Sequence, residues 1–175
     1  LVVYYAFTSA DGSFTFSNFA DFFTDPTKIS TLLISILVAL LVTVICLLIA
    51  YPVAYILSRM KGSVAMIFLL LFVTPMWINF VLRAMAMKDL LTLIGLFGVN
   101  NYVNVIIGMV YDYLPFMILP IYTVLMKMDK SYVEASKDLG ASAFTTFTKV
   151  TFPLSMPGIA SGITMVFMPT MTCYV

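Results

Sequence analysis

The sequence predicts an all-α integral membrane protein, a polytopic helical bundle, because it is rich in hydrophobic residues, divided into long uncharged runs and free of strand-like alternation. Hydrophobic residues make up 62% and charged residues 10% of the 175-residue chain, a balance too apolar for a soluble domain. Runs of about 18 or more apolar residues cross a bilayer as helices, whereas transmembrane β-strands alternate polar and apolar positions. Four spans are therefore predicted, at about 29–57, 64–82, 102–126 and 154–175.

The first predicted span, Ile29–Leu57, contains no charged residue. At about 1.5 Å per residue it is longer than the roughly 30 Å hydrocarbon core, so the helix is expected to tilt, kink or extend beyond the lipid. Pro52 is the expected kink, since a membrane helix tolerates proline where neighbours satisfy the freed carbonyl. A basic turn, Arg59–Gly62, ends this span.

The second predicted span, Val64–Leu82, has Trp77 toward its far end, a position typical of an interfacial anchor. The apolar stretch Leu90–Asn101 then predicts a short interfacial helix. The third predicted span, Tyr102–Met126, contains Asp112 and two prolines that bend it.

Lysine and arginine residues orient the four predicted spans. Six of these basic residues lie on one side and three on the other. The six are Arg59, Lys61, Lys127, Lys130, Lys137 and Lys149, and the three are Lys28, Arg83 and Lys88. Because cytoplasmic loops carry the excess of lysine and arginine, the segment 127–153 is expected in the cytoplasm.

That polar segment begins with the signals of a short helix. Ser131 and Glu134 have the spacing of a capping box. The helix is expected over about Tyr132–Leu139, with Gly140 in the left-handed conformation just beyond its end. Small residues at this elbow would let the surface of another protein approach the backbone closely.

A second short helix is expected to follow, with Ser142 as its N-cap. Phe144 and Phe147 recur in it at helical spacing and are candidate anchors for a groove on a partner protein. The alternative is an amphipathic loop that lies on the lipid headgroups. Pro153 is expected to break the helix just before the fourth span.

The stretch EASKDLGASAFTTFTKVTFP, Glu134–Pro153, resembles the EAA loop of ABC-importer permeases, whose pattern is E-A-A, three residues, G, nine residues and I-x-L-P. Glu134, Ala135, Gly140 and Pro153 match, and Ser136, Val150 and Phe152 are mild departures. The resemblance implies a MetI-like type I importer permease, in which this loop forms a coupling helix that docks into a groove on a cytoplasmic ATPase. The implied ATPase-coupling residues are Glu134, Ala135, Ser136, Leu139, Gly140, Ala141, Phe144 and Pro153.

A wider resemblance, through Gly108–Ser142, Ala50–Gly62 and Asp11–Phe23, links the chain to the polyamine (spermidine/putrescine) branch of these permeases. It implies ATP-driven polyamine import across a bacterial inner (plasma) membrane. The implied partners are cytoplasmic ABC ATPase subunits, a second permease subunit in a hetero-pair and an extracytoplasmic polyamine-binding protein. No cofactor is expected on this chain, which is expected to be non-catalytic, with ATP and magnesium on the partner ATPase. Residues 1–175 are expected to form one incomplete permease domain, with further spans outside the sequence.

The candidates for the substrate pathway are Asp112, Tyr111, Tyr113, Trp77 and Asn79. Asp112 leads them, because it is the only acidic residue inside a predicted span, and an ionisable group in the bilayer usually faces a cavity or a partner. The flanking tyrosines offer cation–π faces to a polyamine. The alternatives are that Asp112 snorkels, pairs with Arg83 or Lys88, or hydrogen-bonds a neighbouring helix.

Other classes of function fit the sequence less well. The chain contains no histidine, and so it lacks the commonest metal ligand and general base; neither a metal site nor an intramembrane enzyme is expected. The net charge of +1 does not suggest a nucleic-acid partner. The remaining alternatives are an importer permease for another small solute and a secondary transporter, which would be expected to show internal repeats with broken helices.

Overall fold

The computed structural model describes residues 7–8, 14–16, 22–95 and 101–173. The helices that bear on function are α1 (Pro26–Arg59), α2 (Gly62–Val73), α3 (Phe80–Leu93), α4 (Asn101–Lys127), α5 (Lys130–Asp138), α6 (Ala143–Thr146) and α7 (Phe152–Thr172). A 3₁₀ turn, Thr74–Trp77, follows α2, and a π-helical turn, Phe147–Thr151, follows α6. The predicted all-α class is confirmed.

The chain divides into two compact units, residues 1–38 and 39–175. In the first unit, Thr8 and Phe14 form a β-bridge, and the ring of Phe14 stacks on Phe7 with 5.7 Å between ring centroids. Most of the Asp11–Phe23 stretch, which carried part of the family resemblance, lies outside the described residues. The second unit holds the features that bear on function.

Three helical stretches in the described part of the chain are long and apolar enough to cross a membrane, namely Pro26–Arg59, Tyr102–Lys127 and Ala143–Thr172. The α2–α3 pair makes a fourth if its two arms are counted as one span. Residues 174–175, at the end of the fourth predicted span, lie outside the described residues.

Within the second unit, α1 buries a stripe of mostly small residues at helical spacing. The stripe consists of Ala39, Val42, Thr43, Cys46, Ala50 and Ala54. The sulfur of Cys46 lies 3.8 Å from the carbonyl oxygen of Val110 in α4, and small side chains are what let membrane helices approach so closely. Pro52 lies inside α1, which continues beyond it to Arg59.

The second predicted span, 64–82, is not one straight helix, because the chain bends by 103° between its α2 and α3 arms. Pro75 lies in the first turn of the 3₁₀ helix, where its missing N–H is tolerated. Ile78 is extended, and Asn79 then caps α3 by accepting a hydrogen bond from the Val81 N–H at 2.9 Å. Hydropathy does not reveal this bend, because the residues on both sides are apolar.

α3 includes the first four residues of the Leu90–Asn101 stretch, which was expected to form a separate interfacial helix. Residues 96–100 of that stretch lie outside the described residues. Leu91 is the buried residue of α3, and the other residues of this helix are exposed or half-buried.

The most extensive helix packing in the described residues joins α4 and α7. Gly158 and Gly162 of α7 lie against α4 with the Gly-x-x-x-Gly spacing that allows close helix contact. A Cβ atom at Gly158 would lie 2.9 Å from the Pro120 carbonyl oxygen, and one at Gly162 would lie 2.7 Å from the sulfur of Met117. The glycine spacing is a sequence signal for this contact that hydropathy alone does not reveal.

Candidate functional site

The loop between α4 and α7 begins at a different cap from the one expected. Asp129, not Ser131, is the N-cap of α5, and its carboxylate accepts a hydrogen bond from the Ser131 N–H at 2.9 Å. This hydrogen bond holds the pKa of Asp129 below its ordinary value. Because Asp129 is extended, the helix starts at Lys130, and a carboxylate at that position also favours the positive end of the helix dipole.

The end of α5 is the one that the sequence predicted. Gly140 has a φ of 77°, a conformation that other residues rarely adopt. Its N–H donates to the Lys137 carbonyl oxygen at 2.8 Å, and the Ala141 N–H donates to the Ser136 carbonyl oxygen at 3.1 Å. These two bonds form a Schellman motif, which turns the chain sharply between α5 and α6.

Side-chain hydroxyl groups hold this elbow together. Ser142 caps α6 as predicted, and its oxygen accepts a hydrogen bond from the Thr145 N–H at 3.2 Å. The hydroxyl oxygens of Ser136 and Thr146 lie 2.9 Å apart and hydrogen-bond α5 to α6. Ser136, expected at the ATPase interface, therefore faces the second helix of the loop.

Leu139 and Phe144 are the most exposed of the large apolar side chains on the loop. Leu139 is 89% exposed and Phe144 is 76% exposed. Of the other residues implied for ATPase coupling, Glu134, Ala135, Gly140 and Pro153 are exposed, and Ala141 is half-buried. Exposed apolar side chains amid polar ones are typical of a protein-docking surface.

Phe147 does not share that exposure, although its spacing from Phe144 suggested a second anchor. Its ring packs edge-on against Tyr51 and Tyr55 of α1, at 5.8 and 5.6 Å between ring centroids. Phe147 therefore fastens the root of the loop to α1 instead of projecting toward a partner.

Pro153 does not break the helix before the fourth span, contrary to expectation. It lies in the first turn of α7, and helical structure runs from Ala143 through the π turn to Thr172. In that turn the Phe152 N–H reaches back five residues to the Phe147 carbonyl oxygen. Because the π turn is wider than an α turn, it can accommodate the proline ring, which in an α-helix clashes with the carbonyl four residues earlier.

A cavity of about 330 Å³ lies between α5 and the ends of α1 and α4. Glu134, Lys137 and Arg59 are among its lining residues. The Arg59 guanidinium lies 4.8 Å from the centre of the Tyr55 ring, in the range of a cation–π contact. Glu134 thus borders both the loop surface and this polar cavity.

The acidic residue within the predicted third span forms an ion pair. Asp112 Oδ1 lies 3.3 Å from a terminal guanidinium nitrogen of Arg83, and the two side chains are 10% and 12% exposed. This is the Arg83 alternative that the sequence left open. Neither Asp112 Oδ1 nor Arg83 Nε has a hydrogen-bond partner among the described residues.

A cavity of about 200 Å³ lies beside Asp112, between α3 and α4. Its described lining is mostly apolar and includes Phe80 and Leu91 from α3 and Tyr113 from α4. Lys88 also lies on its wall. The structure therefore brings Asp112 and Tyr113 together at one cavity.

The other three substrate-pathway candidates lie elsewhere. Tyr111 is exposed, and Trp77 is 84% exposed. Asn79 is exposed, and its side-chain oxygen caps α3. None of these three belongs to the described lining of the Asp112 cavity.

The helices and the loop define a class of protein. Residues 50–175 match the family described as binding-protein-dependent transport system inner membrane component, and the chain belongs to that family. This is the family that the resemblance of Glu134–Pro153 to the EAA loop predicted.

The curated relatives that the chain resembles are permeases of a more specific kind. The chain is 37% identical over 130 residues to the spermidine/putrescine transport system permease protein PotB of Haemophilus influenzae, covering 66% of this chain and 46% of the relative. It is 36% identical over 173 residues to PotB of Salmonella typhimurium strain SL1344, covering 90% and 60%. It is 37% identical over 126 residues to a PotB homolog of Mycoplasma pneumoniae, covering 66% and 44%. The chain spans about half the length of the curated relatives it matches, and the predicted likeness to the polyamine branch is confirmed.

Proposed function

We propose that the chain belongs to the permease subunit of an ATP-driven ABC importer that carries polyamines such as spermidine and putrescine into the cell. Family membership supports the transport class. The relatives in Haemophilus and Salmonella are named as spermidine/putrescine permeases, which supports the substrate class. The chain is non-catalytic in this proposal, and the partner ATPase binds ATP and magnesium.

The proposed role of the loop in ATPase coupling rests on the exposure of Leu139 and Phe144 between α4 and α7. The loop consists of two short helices at a Schellman elbow, so it presents a fixed shape to a partner. A groove on a cytoplasmic ATPase subunit accepts Leu139 and Phe144 as apolar anchors.

The connection between α6 and α7 supports transmission of force from the loop into the membrane. Helical structure is continuous from Ala143 to Thr172, so no flexible linker absorbs a displacement of the loop. α7 packs on α4 through Gly158 and Gly162, and α4 carries Asp112. A movement of the ATPase thereby reaches the cavity beside Asp112.

Three further partners complete the importer in this proposal. A second permease subunit forms a hetero-pair with this one, and a polyamine-binding protein delivers the substrate on the extracytoplasmic side. The lipid bilayer surrounds both permeases. The excess of basic residues around the loop supports its cytoplasmic placement.

The cavity beside Asp112 is the proposed contact point for a polyamine. Its apolar walls suit the methylene groups, and the carboxylate of Asp112 suits an ammonium group, with the Tyr113 ring on the same cavity. The roles expected for Tyr111, Trp77 and Asn79 stay predictions.

Uptake by the reconstituted importer tests this function. The full-length protein is placed in proteoliposomes with the proposed ATPase and second permease, and the matching binding protein is added outside. Radiolabelled spermidine is expected to enter only with enclosed ATP. Uptake driven by a sodium or proton gradient without ATP would establish a secondary transporter instead. ATP-dependent transport activity that neither spermidine nor putrescine stimulates or competes with would indicate another solute.

A further inference from the structure

We propose that the guanidinium group of Arg83 competes with the substrate for the Asp112 carboxylate. An ammonium group of an entering polyamine replaces the guanidinium group there. The inference rests on the proposed function, which supplies the class of ligand, a linear aliphatic polyamine. It adds a role for Arg83, whose guanidinium group occupies the Asp112 carboxylate when no substrate is present.

The burial of Asp112 explains why the carboxylate needs a cation in every state. An uncompensated charge among membrane helices is strongly unfavourable. Arg83 supplies the compensating charge in this structure, at 3.3 Å. A substrate ammonium that replaces Arg83 keeps the charge balance, so the exchange avoids the large penalty of leaving Asp112 alone.

The geometry of the ion pair is incomplete, and this favours exchange. An arginine held by two parallel hydrogen bonds to a carboxylate would be a strong competitor. Here Arg83 Nε and Asp112 Oδ1 have no hydrogen-bond partner among the described residues. A flexible ammonium group with three donors can meet the carboxylate more favourably than this guanidinium does.

The position of Arg83 in a loosely packed helix allows its side chain to move away from Asp112. Arg83 lies in the first turns of α3, directly after the 103° bend. Within α3 only Leu91 is buried, so few contacts of the described residues hold this helix against α4. Movement of the Arg83 side chain away from Asp112 frees the carboxylate to bind another cation.

Chemical labelling of arginine tests the exchange directly. The chain contains two arginines, Arg59 and Arg83, so the exposed Arg59 serves as an internal control. The reconstituted importer is treated with phenylglyoxal, with and without spermidine, and each arginine is quantified by mass spectrometry. Spermidine is expected to raise the labelling of Arg83 several-fold and to leave Arg59 unchanged, while equal ionic strength from sodium chloride has no effect. Unchanged or reduced labelling of Arg83 would overturn the inference.

Two variants provide an independent readout. Arg83→Gln removes the competitor and is expected to lower the KM for spermidine by about tenfold, since a competing ion pair of typical strength is removed. An unchanged or higher KM contradicts the exchange. The charge swap Arg83→Asp with Asp112→Arg gives a second test if Arg83→Gln does not insert. A purely structural pair tolerates the swap, and uptake retained in the swapped protein would overturn the exchange, which requires the carboxylate on α4.

Failure of this inference is distinguishable from failure of the proposed function. If the wild-type importer takes up no spermidine with ATP, the proposed function is wrong. If it takes up spermidine and Arg83 shows neither the labelling increase nor the KM change, only the role of Arg83 is wrong.

Discussion

The hydroxyl group of Tyr51 lies 3.0 Å from Ser155 Oγ, and this buried contact joins α1 to α7 just beyond the π-helical turn. Ser155 Oγ also donates to the Phe152 carbonyl oxygen at 2.7 Å. Because a serine hydroxyl has one hydrogen, Tyr51 is the donor of the bond between the two hydroxyls. The root of the loop is thus fixed to α1 by a hydrogen bond as well as by the Phe147 ring contacts.

Tyr51→Phe is expected to destabilise the protein by about 1 kcal/mol, the usual net value of a buried hydrogen bond. The ring contacts remain in this variant, and Ser155 keeps its bond to Phe152. Thermal unfolding in detergent measures the change. Tyr55→Phe is the matched control, because Tyr55 also packs on Phe147, and it is expected to leave stability nearly unchanged. Equal losses in the two variants would contradict the role of the Tyr51 hydroxyl.

Phe144→Ala and Phe147→Ala are expected to have opposite consequences. Phe144 is exposed, so its truncation leaves stability unchanged and weakens ATPase binding by about 1–3 kcal/mol, in the range of an interface anchor. Phe147 packs on two tyrosines, so its truncation lowers stability by about 3 kcal/mol. Unfolding and copurification with the ATPase are measured on the same preparations. Normal ATPase binding by Phe144→Ala would show that the exposed ring is not an anchor.

Local signals in the loop could be read from the sequence, whereas contacts between distant segments could not. Gly140 and Ser142 act on backbone groups within a few residues, and both predictions are confirmed. The N-cap of α5 was placed two residues late, because Asp129 and Ser131 are both good capping residues and only the backbone conformation decides between them. The inward position of Phe147 depends on α1, nearly a hundred residues away in sequence.

The bend before α3 was missed for a different reason. Hydropathy is continuous across residues 74–82, and the bend arises from the extended Ile78 and the cap at Asn79. The partner of Asp112 was left open for the same reason, since the bend is what brings α3, with Arg83, against α4.

Gly158→Ala is expected to be more destabilising than Gly162→Ala. A Cβ at Gly158 meets backbone atoms of Pro120 and Ile121 within 2.9–3.1 Å, whereas one at Gly162 meets chiefly the flexible sulfur of Met117. Overpacking against backbone costs about 1–3 kcal/mol, and a methionine side chain can move aside. Unfolding in detergent is compared with Gly108→Ala, where a Cβ meets nothing within 4 Å. The reverse order of the two losses would contradict the close approach of α4 and α7.

The cap at Asp129 is expected to make α5 sensitive to acid. Its pKa is lowered by the hydrogen bond from the Ser131 N–H, so the carboxylate stabilises the helix above its ordinary pKa of about 4, and this contribution is lost as pH falls through the lowered pKa. Asp129→Asn keeps a capping oxygen that does not titrate. Amide hydrogen-exchange protection of α5 is expected to fall in acid for the wild type and to stay level for Asp129→Asn. A parallel fall in both proteins would assign the acid effect to another group.

Gly140→Val tests whether the loop from Glu134 to Pro153 receives the movement of an ATPase. A β-branched residue at a φ of 77° is strained by roughly 1–3 kcal/mol, which opens the elbow without touching the membrane helices. Gly62→Val is the control, because Gly62 has no positive φ and open space around its Cβ position. Spermidine uptake and ATP hydrolysis are measured in the same proteoliposomes. Both variants are expected to insert normally. Gly62→Val is expected to keep near-normal uptake, and Gly140→Val is expected to lose uptake and substrate-stimulated hydrolysis. Wild-type uptake and hydrolysis in Gly140→Val would contradict the coupling role of the loop.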